Sequence, residues 1–232
     1  MSDVSDAIRS RGHWRVQLRP TAFNEKRVSS LSELERAIQR AHVELRGWDY
    51  PHVPRQIDRH ADFIQGTVNF ERHQEVWRLY QSAQFIHLFA MTEDWMDDPH
   101  AGWSSGPIQP GKILEVTSTL WTLTEMFVFF ARLVEALTLG PEVVVAYRLI
   151  GLGGRQLQTL DPRRMPLHEW RKAADDLKEF GQELTLPVSK LIASSAEIAV
   201  DQALMLYERF HWEPDRGSVI EEQRKLLERR FY

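Results

Sequence analysis

The chain contains no cysteine among its 232 residues. That excludes disulfides, thiolate nucleophiles and cysteine-ligated zinc together, and a cytoplasmic setting is the simplest one for such a composition. An unbroken apolar run is missing too. The most hydrophobic segment, Leu120 to Leu139, is interrupted by Thr122, Thr124, Glu125, Arg132 and Glu135, so it reads as a buried helix and not as a membrane span. The stretch MSDVSDAIRSRGHW lacks the apolar core that a secretion signal needs. A soluble protein without membrane contact is expected. Excess positive charge is also absent: the formal net charge is −4 and the pI is near 6.2. No global basic field therefore draws the molecule onto nucleic acid, although a local patch can.

Motifs that define a chemistry are equally scarce. Gly151-Leu152-Gly153-Gly154-Arg155 invites a phosphate-loop reading, but no Gly-Lys-Ser/Thr follows and the next residues alternate like a strand. A hairpin turn is the better expectation. Histidines 52, 60, 73 and 87 with Asp58, Asp62, Glu71 and Glu75 show no HExxH, HxH or HxxE pattern on one face, so neither a metal nor another cofactor is expected. Glu197, Asp201 and Glu208 are spaced along one helical stretch and read as a solvated stripe.

What the chain does have is material for a core. Apolar residues make up 43% and charged residues 27%, enough to exclude general disorder. Eight tryptophans suit packed layers and interfaces. Two alternating runs, Val76 to Tyr80 and Phe85 to Met91, flank Gln81-Ser82-Ala83-Gln84 and predict an antiparallel hairpin with large side chains on both faces. Further strands are predicted at Trp14–Leu18, Phe63–Phe70 with a turn or bulge at Gly66, Ile113–Thr119, Val143–Leu149 and Gln156–Leu160. Ser30 and Glu33 form a capping box for a helix ending near Gly47, and Thr122 and Glu125 one for a helix ending at Gly140-Pro141. The spacing predicts helices at 167–180, 187–210 and 218–230, frayed residues at 1–11, and an ordered proline-containing loop at 48–54. Residues 92–112 hold Glu93, Asp94, Asp97 and Asp98, then a Gly-, Ser- and Pro-rich run, and read as an acidic surface loop.

The fold class expected is α+β: a mostly antiparallel mixed sheet, two capped helices packed on it, and a helical C-terminal third. Residues 1–232 are read as a single domain, with any sub-boundary placed in the 92–112 loop. The two halves share a strand-helix-hairpin order without aligning as a repeat.

The clearest charge signal is a cluster for binding nucleic acid or another anion: Arg148, Arg155, Arg163, Arg164, Arg171 and Lys172. It leads to the expectation of a non-catalytic binding or accessory protein of a cytoplasmic, prokaryotic-type system, acting through a protein partner, a homo-oligomer or nucleic acid. The alternative is a hydrolase or transferase whose site assembles from His60, His73, Glu75 and His87 on neighbouring strands, His87 serving as general base. Within its hairpin, His87 reads first as a buried, hydrogen-bonded histidine.

Overall fold

Alternation of apolar residues along the strands builds a broad sheet, and helical spacing supplies its cover. The computed structural model describes residues 2–97 and 108–230. In chain order the elements are α1 (Ser2–Arg9), β1 (His13–Pro20), α2 (Leu31–Ala41), β2 (Asp58–Arg59), β3 (Phe63–Phe70), β4 (His73–Tyr80) and β5 (Phe85–Ala90). A 3₁₀ turn (Thr92–Trp95), β6 (Ile113–Glu115), α3 (Val116–Leu137), β7 (Glu142–Ile150) and β8 (Gln156–Gln158) follow, then β9 (Glu179–Pro187), α4 (Val188–Glu208) and α5 (Arg216–Leu227). Among the described residues seven strands form one sheet in the order β2-β3-β4-β5-β1-β7-β9, with every neighbouring pair antiparallel. The α+β class is as expected. No helix of the described residues is long and apolar enough to cross a membrane.

The hairpin forms as its alternation requires, with Trp77 opposite His87 and Glu75 opposite Phe89. Glu75, Trp77, Phe85, His87, Trp14, Val16 and Tyr147 belong to the face turned toward α3 and α4. There Phe85 meets Phe129 with ring centroids 4.8 Å apart, and the Tyr147 hydroxyl donates to Gln202 Oε1 at 3.0 Å. Burial of the opposite face is only partial: α1 packs on β4 and β5, while Val76, Ile86 and Leu88 stay half-buried. The N-terminal residues expected to fray instead form α1 from Ser2 onward, because its Ile8 is fully buried.

Several boundaries move, each for a local reason. Ser30 caps α2 as expected, its Oγ accepting from Glu33 N at 3.3 Å. The helix stops at Ala41 because Val43 pairs with Tyr50 and turns the chain back. The N-cap of α3 is Glu115, whose carboxylate accepts from Ser118 N, so Thr122 and Glu125 lie inside the helix and only Ile113–Glu115 remain strand. Neither a turn nor a bulge occurs at Gly66. It pairs directly with Trp77, and a Cβ there would sit 2.3 Å from the indole Cε2.

Larger corrections fall in the second half. The 151–154 turn does not fold β8 back on β7; β8 pairs in parallel with β6. The helix expected over 167–180 is absent. Ala173 N donates to Arg155 O at 2.9 Å, Leu157 N to Arg171 O at 2.8 Å, and the alternating residues of β9 join β7. Glu93 and Asp94 are buried in the 3₁₀ turn and so do not form part of a surface loop. The Gly-, Ser- and Pro-rich run at 102–107, with Asp98, lies outside the described residues.

Candidate functional site

A cleft of about 1280 Å³ opens on the α3 side of the sheet. Its walls come from the ends of β4 and β5, the 46–50 loop, the 3₁₀ turn, the first turns of α3, the 160–164 loop and α5. On its wall Glu75 and His87 lie diagonally on neighbouring strands, with His87 Nε2 and Glu75 Oε2 2.9 Å apart. Glu75 also accepts from His52 N at 3.2 Å on Oε2 and from Trp48 Nε1 at 3.2 Å on Oε1. A carboxyl group taking an N–H on each oxygen is satisfied as a carboxylate, so the proton between it and the imidazole belongs on Nε2. His87 Nδ1 is then the acceptor for the Tyr50 hydroxyl, 3.3 Å away. Tyr50 is buried at the cleft wall; burial, then the charges of Glu75 and Glu125, push its phenol well above the ordinary range.

Next to this chain lies a second group. Arg46 donates from Nη1 to Ser118 Oγ at 3.2 Å, and from Nη2 to Thr122 Oγ1 and Glu125 Oε2, both at 2.8 Å. The Glu125 side chain is 1% exposed, and its Oε1 has no hydrogen-bond partner. Burial raises its pKa against the opposing pull of Arg46. Burial likewise raises Glu93 to about 7 and raises Glu115. Trp48 is stacked between His73, 3.9 Å away, and His52, 4.5 Å away. Burial, then Arg72, lowers His73 to about 4 and keeps its ring neutral at pH 7.

Of the residues nominated for a hydrolytic site, His73, Glu75 and His87 line this cleft. His60 sits apart, stacked on Phe63 at 4.2 Å. Among the described residues no group of three or more His, Asp or Glu side chains is placed to hold a metal ion.

Of the six basic residues nominated for anion binding, Arg155 is buried and the other five reach the surface. Arg155 is buried in a pair with Asp94, 2.5 Å from Nη2 to Oδ2, so it contributes nothing to a surface patch. Arg148 lies 3.7 Å from Glu179, and Lys172 bonds Asp175 at 3.2 Å. Arg163 and Arg164 pair with Asp161 at the cleft rim, Arg164 also with Glu222 at 2.7 Å. Arg171 stacks over Trp170 and donates to His211 O. Each has an acidic or carbonyl partner, with Asp161 shared between Arg163 and Arg164.

Arg46 and Glu125 were the cleft residues least visible in the sequence. The available signal was Glu125 itself, a carboxylate inside the most apolar helix. No family model, curated protein or solved structure matches this chain.

Proposed function

We propose that this chain is a non-catalytic binding protein that takes a small organic molecule into the cleft beside Glu75, His87 and Glu125. One observation carries the reading: both nitrogens of His87 and both oxygens of Glu75 are already engaged by neighbours. The wall around His87 is thus a preformed recognition surface, and that imidazole has no free nitrogen to take a substrate proton. The Ser118 hydroxyl, held by Arg46, hydrogen-bonds to no histidine or carboxylate side chain among the described residues, which argues against an activated nucleophile. A cleft of this size, with Trp14, Tyr50 and Phe89 beside convergent polar groups, has the character of a small-molecule site. A cytoplasmic role fits the cysteine-free composition.

The test is a thermal-shift and tryptophan-fluorescence titration with adenosine, indole and tyramine. At least one is expected to raise the melting temperature and quench emission, since a ligand of the folded state must stabilise it. A Thr117→Trp substitution, which obstructs the cleft wall, is expected to abolish both signals. Absence of any response to all three probes in the unsubstituted protein overturns the reading.

A second reading, contact with a protein partner, rests on a different surface. Met165 is 89% exposed and Trp170 59% exposed, on the segment that also carries Arg163 and Arg171. Sedimentation of the protein alone and with duplex DNA or RNA distinguishes self-association and nucleic-acid binding from this reading.

A further inference from the structure

Resting on the cleft reading above, we infer that its ligand is an organic cation whose ammonium or amidinium group is drawn to Glu125 on the inner wall. Three features converge on that chemistry. Glu125 keeps one carboxylate oxygen without a partner although its side chain is 1% exposed, which is a costly arrangement for a charge unless a donor arrives. Asp49, Glu75, Glu93 and Glu115 line the same cavity, opposed there by the guanidinium groups of Arg46 and Arg72. Carboxyl groups therefore outnumber guanidinium groups on the inner wall, and a cation entering that partly buried setting is attracted more strongly than in water. Finally, Trp14, Tyr50 and Phe89 present aromatic surface beside these carboxylates, and a desolvated cation is attracted to such rings.

The geometry also disfavours the opposite ligand. The N-terminal turn of α3, otherwise a natural anion site, is occupied by Glu115, which caps Ser118 N and also accepts from Leu160 N at 3.3 Å. The basic side chains of the rim are matched by acids: Arg164 and Lys225 both reach Glu222, at 2.7 and 2.9 Å.

The experiment is a charge series on one planar body: benzamidine, benzamide and benzoate, titrated by thermal shift and tryptophan fluorescence. Benzamidine is expected to bind at least tenfold more tightly than benzamide, with no response to benzoate. Glu125→Gln, which keeps the shape and removes the charge, is expected to weaken benzamidine at least tenfold and to leave benzamide within about twofold. If that variant does not fold, the series on the unsubstituted protein still decides. Benzamide or benzoate binding as tightly as benzamidine overturns the cationic assignment while leaving a small-molecule cleft in place. Silence from all three overturns the assignment as well; if adenosine, indole and tyramine are also silent, the cleft reading falls with it.

Discussion

Asp94 and Arg155 meet as a bidentate ion pair inside the molecule, Nη1 to Oδ1 at 2.7 Å and Nη2 to Oδ2 at 2.5 Å, each side chain 1% exposed. The pair is a junction. Asp94 also accepts from Gly12 N and Gly111 N, and Arg155 also donates to Gly151 O and Ile113 O. It thus joins the start of β1, the 3₁₀ turn, β6 and the glycine turn. Removing one partner strands a charge and several backbone groups, so Arg155→Met or Asp94→Ala should each cost about 3–5 kcal/mol. The double variant should fall well short of the sum, as denaturant unfolding of the three proteins will show.

Gly66 gives a second stability prediction. A methyl group there would press on the Trp77 ring, which is fully buried and donates from Nε1 to His52 O at 2.7 Å. Gly66→Ala should cost about 1–3 kcal/mol through overpacking. Because His52 N also donates to Glu75, the displacement should reach the cleft and alter its tryptophan emission.

Two ionisable groups of the cleft predict opposite pH slopes. Burial holds Glu93 near 7 against an ordinary value of 4.5, so the folded state binds more protons between those limits. Its contribution to stability is intact below about 4.5 and is lost as the pH rises through 7. Glu93→Gln should remove that slope, gaining about 3 kcal/mol relative to the unsubstituted protein between pH 4 and 8. For His73, held at about 4 against 6.5, the unfolded chain binds more protons, so stability rises with pH over that window and His73→Gln flattens the rise. Urea titrations at unit pH intervals test both.

The proton assignment on His87 is directly measurable. Two-bond ¹H–¹⁵N spectra should show Nε2 protonated and Nδ1 bare, as the Glu75 and Tyr50 contacts require. The reverse tautomer would contradict the order of donors along the chain. Tyr50→Phe should shift the Nδ1 resonance and leave Nε2 in place.

Local chemistry was readable where it decided the outcome. The period-two runs of β4 and β5 and the Ser30 cap of α2 are local facts, and they formed as the residues dictate. Segment 167–180 shows the limit: Leu167, Trp170, Ala174, Leu177 and Phe180 have helical spacing, yet hydrogen bonds to β7 and β8 claim the chain. That competition is tertiary, and spacing does not contain it. Glu93 and Asp94 looked like solvated acids because their partners lie far along the chain: Asp94 meets Arg155 across 61 positions and Glu93 meets Glu115 across 22. In the cleft, His73, Glu75 and His87 were named from the hairpin alone. Arg46 and Glu125 were not, since their contact depends on how α3 crosses the 46–50 loop.

The position of β1 has a consequence for biosynthesis. That strand precedes both of its partners in the chain, pairing on one side with β5 and on the other with β7. A nascent chain emerging from the ribosome can fold the β3-β4-β5 meander early, but β1 lacks one neighbour until Ile150 has been translated. Closure of the sheet is therefore a late, long-range event, and the rate of refolding should follow that loop closure more than helix formation.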